Sequence, residues 1–131
     1  MSDGYYESAL LRLRRVTAYF NMRYEDAIKK DNITPVQFEI LLFVDSSAPC
    51  SVSDVAQFMV VDKSTSSRVL RGIEERGLIA VEFDQEDRRR RRVSLTVDGQ
   101  ILVDTCKEQW LTVEKEVCSK YDDAIEHLEK F

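Results

Sequence analysis

Residues 51–77 read as two short helices joined by a tight turn, and that spacing restricts the fold more than any other stretch of the chain. Ser51 is a good N-cap for a helix over Val52 to Met59, with Asp54 at the third position as a capping-box-like partner. After Val60 and Val61, Asp62 can cap a second helix running to about Arg76, and Gly77 stops it from the position just past the helix end. Two helices separated by a turn of about three residues have helix-turn-helix spacing. Next, β-branched and aromatic residues over 78–83 and 92–96 alternate inward, which suggests a two-stranded hairpin. Its tip, Asp84 to Arg90, is too long for a two-residue turn. A hairpin that follows a helix-turn-helix is a wing.

The flanking segments are helical. From about Asp3 to Lys30, apolar residues Leu10, Leu13, Val16, Phe20, Tyr24 and Ile28 recur at steps of three and four and form one stripe. Thr34-Pro35 reads as an N-cap with proline at the first helical position, opening a helix to about Asp45 that carries Phe38, Leu41 and Leu42 on one side. The last segment starts at Val97 and places Leu102, Cys106, Trp110, Val113, Val117 and Tyr121 on one face; Ile125 and Leu128 continue it after an expected break at Asp122-Asp123. The expected architecture is mainly α with a small β-hairpin wing. It is a single domain over 1–131, with a winged helix-turn-helix lobe at 34–96 and terminal helices at 1–30 and 97–131. The stripes on those terminal helices are wider than a small winged lobe can cover, which predicts a dimer. Because the sequence ends at Phe131, the final helix and its share of the interface are expected to be short.

A chain of 131 residues fits one domain, and 44% hydrophobic with 33% charged residues lies in the globular range rather than the disordered one. No apolar run approaches the roughly 18 residues of a membrane span, and no signal-peptide core opens the sequence, so a cytoplasmic location without membrane contact is expected. Cys50, Cys106 and Cys118 are too few and too scattered for a disulfide scaffold or a zinc site, and reduced thiols are expected. The net charge of -5 looks wrong for a nucleic-acid binder, but it is unevenly spread. Residues 62–96 carry 9 basic and 7 acidic groups, whereas 97–131 carry 4 and 9. The local field decides whether a phosphate backbone is attracted.

Two features point to duplex DNA. In the second helix of the pair, Val69, Leu70 and Ile73 can face a core, leaving Ser64, Thr65, Ser67, Arg68 and Arg71 on the exposed side. Small hydroxyls at the helix start allow close approach to a major groove, and Arg68 can reach guanine O6 and N7 as a bidentate pair. The second feature is the run Arg88-Arg89-Arg90-Arg91-Arg92 at the hairpin tip. Five adjacent guanidiniums repel one another unless phosphates lie beside them, where they displace condensed counterions or enter a narrow minor groove. Asp87 is close enough to brace Arg89.

The stretch 84–96, DQEDRRRRRVSLT, resembles the wing signature of the MarR family of bacterial and archaeal regulators. The segments 33–38 (ITPVQF), 61–69 (VDKSTSSRV) and 74–79 (EERGLI) resemble that family in the same order and spacing, over about Leu10 to Tyr121. The resemblance implies a homodimer joined through helices from both chain ends and a recognition helix in each major groove. It also implies a pseudo-palindromic operator. By position it makes Arg89 the minor-groove arginine and Asp87 its brace, with Arg90 and Arg91 beside them on the DNA. Release by a small aromatic effector is further implied, and Arg15, Tyr19, Phe20, Phe38 and Trp110 are the candidates for such a site; helix packing is the plainer role for them.

Other functions find less support. Peroxide-sensing relatives use a cysteine in the first helix, and none lies between Met1 and Pro49. Cys50 sits before a helix N-terminus, a place that favours thiolate, and is the candidate for a redox-responsive alternative. Cys106 falls on the apolar stripe and Cys118 off it. The single histidine, His127, supports no metal site, and no cofactor is expected. There is no nucleophile with its base and no phosphate-cradling glycine loop, so an enzyme is not expected. A winged-helix protein-interaction module that never touches DNA is the remaining alternative; the basic wing argues against it.

Overall fold

A computed structural model describes residues 8–130, so the expected helix start at Asp3 and the terminal Phe131 lie outside the described residues. The helices are α1 (Ala9–Ile28), α2 (Pro35–Ser46), α3 (Val52–Met59), α4 (Lys63–Glu75) and α5 (Val97–Leu128). The strands are β1 (Cys50–Ser51), β2 (Ile79–Phe83) and β3 (Arg91–Leu95). Two compact units divide the chain. One joins the region up to Pro35 with the chain from Glu108 onward; the other is Val36–Lys107.

In the Val36–Lys107 unit, local chemistry sets the helix ends. Ser51 Oγ accepts from the Asp54 amide at 3.1 Å while Asp54 Oδ2 accepts from the Ser51 amide at 2.9 Å, a complete capping box. Asp62 Oδ1 accepts from the Thr65 amide at 2.7 Å, and that amide is the main reason its carboxyl is held below the usual range. At the far end of α4, Gly77 takes φ +75°. Its amide reaches Glu74 O at 2.8 Å and that of Leu78 reaches Ile73 O at 3.4 Å, which is the Schellman arrangement. Between the helices Val60 also adopts a left-handed backbone, φ +58°, although nothing in its residue type favours that.

The sheet has three strands rather than the expected two. β1 pairs antiparallel with β3 through Cys50↔Val93 and Ser51↔Arg92, giving the order β1-β3-β2. β2 pairs with β3 from Ile79↔Leu95 to Phe83↔Arg91. Only Arg88, Arg89 and Arg90 therefore belong to the tip, while Arg91 and Arg92 open β3. The core of this unit gathers Phe38, Ile40, Leu41 and Val44 of α2 with Val55, Leu70, Ile73, Ile79, Val93, Val103 and Cys106. Leu42 and Val69, expected inside, are only half-buried, and Ser66 is buried instead, its hydroxyl donating to Val52 O at 3.3 Å.

The start of α5 is locked to the end of the helix-turn-helix. Thr96 Oγ1 donates to Gly77 O at 2.6 Å and accepts from the Gly99 amide at 3.0 Å. A Cβ at Gly99 would stand 2.0 Å from Leu78 O, so only glycine permits this approach.

In the other unit, α1 packs antiparallel to the later part of α5. Phe20 meets Tyr121 edge-on with ring centroids 5.2 Å apart, and Tyr24 lies 4.4 Å from Trp110. Tyr24 OH donates to Glu114 Oε1 at 3.1 Å, and Arg23 pairs with Glu116. α5 runs unbroken through Asp122 and Asp123, contrary to the expected interruption. Two exposed aspartates cost a helix this long well under 1 kcal/mol each, too little to stop it. The stripe expected on α1 is buried only at its end: Ile28 is inside, whereas Leu10, Leu13 and Val16 are exposed.

Candidate nucleic-acid interface

The helix α4 presents the polar face the sequence predicts. Ser64, Arg68 and Arg71 are exposed, and Thr65 and Ser67 are half-buried. Arg68 donates from a terminal guanidinium nitrogen to Thr65 Oγ1 at 3.2 Å, which holds its side chain back toward the helix N-terminus. Arg76, one turn beyond this face, bonds Gln37 Oε1 at 3.3 Å.

The wing tip is shaped by two aspartates. Asp84 Oδ1 accepts from the Glu86 amide at 2.9 Å and Asp87 Oδ1 from the Arg89 amide at 3.0 Å, both Asx-type turns. The loop closes through Asp84 N to Arg90 O at 2.9 Å. Asp84 has its carboxyl held low chiefly by the Glu86 amide, with Arg92 and Arg90 contributing.

Each brace then holds one guanidinium. Asp87 Oδ1 also accepts from Arg89 Nε at 3.3 Å, as expected from their spacing, yet the Arg89 side chain remains 93% exposed. Arg90 reaches Asp54 Oδ2 at 3.9 Å, and Arg92 reaches Asp84 Oδ2 at 3.7 Å. Asp54 therefore serves both the α3 capping box and the wing. Sequence spacing gave no signal of this second role, because Asp54 and Arg90 are far apart in the chain.

The aromatic effector candidates fall on both units. Phe38 and Trp110 are core residues, each in a different unit. Tyr19 is exposed on α1 next to Phe20, at 5.8 Å between centroids, and Phe20 uses an edge on Tyr121. Arg15 is exposed on the same helix.

Cys50, the candidate for the redox-responsive alternative, sits where a thiolate is disfavoured. It lies in β1, buried, and its thiol is pushed up to about 11 by burial and then by the Asp54 carboxylate. The carboxylate that caps α3 is the charge that opposes a thiolate there. Cys106 is buried as expected, and Cys118 is exposed with its thiol raised by desolvation and by Glu114 and Asp122. Among the described residues, Asp122, Asp123 and Glu126 form one exposed acidic cluster, and no helix is long and apolar enough to cross a membrane.

Comparison with known proteins agrees with this geometry. A family model described as MarR family matches residues 31–90. An uncharacterized HTH-type transcriptional regulator of Bacillus cereus is 26% identical over 120 residues, covering 92% of this chain and 78% of that protein. Among solved structures, Bordetella bronchiseptica BpsR, whose DNA binding is regulated by 6-hydroxynicotinic acid, superposes with a TM-score of 0.80 at 26% identity; the match covers 98% of this chain and 94% of that one. The DNA complex of S. aureus MepR gives 0.80 at 21% identity over 93% and 91% of the two chains, a likeness of fold. The family model falls on residues 31–90, which hold the helix-turn-helix with β2 and the wing tip, and the relatives span nearly the whole chain; in this the protein is similar to the winged helix-turn-helix transcriptional regulators of the MarR family.

Proposed function

We propose that the protein is a cytoplasmic homodimer that binds a pseudo-palindromic duplex operator and represses transcription, acting by binding rather than by catalysis. In this reading α4 enters the major groove with Ser64, Thr65, Ser67, Arg68 and Arg71, and the wing brings Asp87-braced Arg89 to the flanking minor groove, with Arg90 and Arg91 beside it on the DNA. The observation that carries it is the wing tip. Its cations are oriented by carboxylates while Arg89 stays open to solvent, on the unit that also holds the helix-turn-helix. The terminal helices α1 and α5 supply the dimer contact. Leu10, Leu13, Val16 and Met22 on α1 and Leu111 and Leu128 on α5 support this, being apolar and exposed. Release by a small aromatic acid belongs to the same reading, supported by the BpsR relative and by Arg15, Tyr19 and Phe20 on one helix.

Selection from a random-sequence duplex pool by the purified protein tests the reading. Enrichment of a two-fold-symmetric motif, lost in Arg89→Ala, is the expected result. Arg68→Ala should still bind but with relaxed preference at one base pair per half-site, by about 1–3 kcal/mol. No enrichment at low salt would transfer the protein to a winged-helix interaction role.

A further inference from the structure

The apolar alternation of β2 outruns the core. Ile79, Val81 and Phe83 point to the same face of the sheet, and their exposure rises from buried through half-buried to 69%. On β3 the partner of Phe83 is Arg91, two residues before the buried Val93 and on the same face. The Arg91 guanidinium carbon lies 5.9 Å from the Phe83 ring centre, within cation–π reach. This face is covered by helices at Ile79 and Val93 and runs past them at Phe83 and Arg91. The result is a cleft of about 210 Å³, whose walls include Ser53 of α3, Lys63 and Ser67 of α4, and Phe83, Arg89 and Arg91 of the wing.

A large exposed ring among four cations, Lys63, Arg89, Arg90 and Arg91, is a poor match for an apolar protein partner and a poor match for a simple anion. It suits a ligand that alternates apolar and anionic groups at close spacing. The deoxyribose-phosphate strand does so. Geometry adds to this: with α4 in a major groove and the wing in the adjacent minor groove, the ridge between the grooves is a single sugar-phosphate strand. That strand must cross the space between α4 and the wing.

We propose that the cleft between α4 and the wing grips this strand, with Phe83 packed on a deoxyribose face while Lys63 and Arg91 contact its phosphates. The inference rests on the DNA-binding reading and deepens it by adding a contact that is not electrostatic. Phosphate contacts give a salt-dependent affinity, whereas an apolar sugar contact lowers the dissociation constant equally at every salt concentration.

The test is a fluorescence-anisotropy titration of a labelled duplex recovered by selection, at several salt concentrations, with wild type, Phe83→Ser and Phe83→Leu. Phe83→Ser should bind about tenfold more weakly with an unchanged salt slope, as expected for losing a small part of an aromatic burial at each of the two wings. Phe83→Leu should recover most of the affinity. The ring is exposed, so thermal melting should match wild type. Equal affinity for wild type and Phe83→Ser overturns the contact, and so does a slope that falls with the affinity, since the ring would then serve only to place Arg91. A parallel duplex with deoxyuridine for thymidine should leave the tenfold ratio intact. Collapse of the ratio there would assign the ring to a thymine methyl and overturn the sugar contact. If wild type itself binds no duplex, the DNA-binding reading fails together with this inference.

Discussion

Replacing Arg89 by alanine isolates the electrostatic part of the proposed interface. The side chain is 93% exposed and its pair with Asp87 is at the surface, so its loss should leave folding stability nearly untouched. Its effect on DNA should be large and should have a particular form. One neutralised phosphate releases about 0.9 counterion, which at 0.15 M salt is worth about 1 kcal/mol. A dimer presents two wings, so the double loss is about 2 kcal/mol, or roughly 30-fold in affinity. At 0.05 M the same release is worth about 1.6 kcal/mol per wing, and the gap widens to roughly 200-fold.

The ratio between those two gaps is the decisive quantity. Anisotropy titrations of wild type and Arg89→Ala at both salt concentrations should show the gap shrinking about sevenfold as salt rises. A constant gap would mean that Arg89 acts without displacing counterions, as a structural or base-reading group. An absent gap would remove the wing from the interface.

Three further substitutions probe the frame that holds this site. Gly99→Ala drives a methyl into Leu78 O and must push the start of α5 off the Thr96 clamp; overpacking and the broken bonds together should cost about 3 kcal/mol in urea denaturation. A loss below about 1 kcal/mol would show the clamp to be loose. Val60→Gly relieves a β-branched residue at φ +58° that is 80% exposed, and a net gain of about 0.5–1 kcal/mol, seen as a higher Tm, is expected. A lowered Tm would refute the strain. Alkylation by iodoacetamide near neutral pH should mark Cys118 in the folded protein and Cys50 only after unfolding; early labelling of Cys50 would contradict its burial. Because folded Cys50 holds its proton up to about 11, against an ordinary value of 9.0, its contribution is complete below that ordinary value. It is lost as pH rises from there toward the folded value, a slope that Cys50→Ala should reduce.

Local chemistry was legible in the sequence where it acts within three or four residues. Ser51 with Asp54, Asp62 and Gly77 mark helix ends by hydrogen bonds and backbone conformations that depend on residue type alone. Asp87 and Arg89 meet for the same reason. What stayed hidden depends on partners distant in the chain. The strand β1 has two residues, too few for any period, and exists because Val93 and Arg92 lie beside it. Val60 takes a left-handed turn because the helices on either side are fixed, not because valine prefers it. The position of Phe83 continues a correct alternation, yet whether that face is covered depends on where α4 ends. The raised thiol of Cys50 follows from burial in a strand and from the Asp54 carboxylate, neither of which its place before a helix N-terminus reveals.

Acidic residues at the wing hold its arginines in place. Five successive arginines would splay apart in solution if left to repel one another, and a disordered tip would lose entropy on every encounter with DNA. Three carboxylates prevent this by facing one arginine each: Asp87 for Arg89, Asp54 for Arg90 and Asp84 for Arg92. Arg91 is directed instead toward the Phe83 ring. Two of these carboxylates also accept backbone amides of the tip, and the third caps α3, so the charges are tied to the rigid parts of the unit. The cost is a smaller net positive charge. Residues 84–92 hold two of these carboxylates and Glu86 beside five arginines, leaving +2. The gain is that the guanidiniums are arranged before DNA arrives, so less ordering remains to be done on binding. A protein whose total charge is -5 can therefore hold phosphates by arrangement where its net field would not attract them.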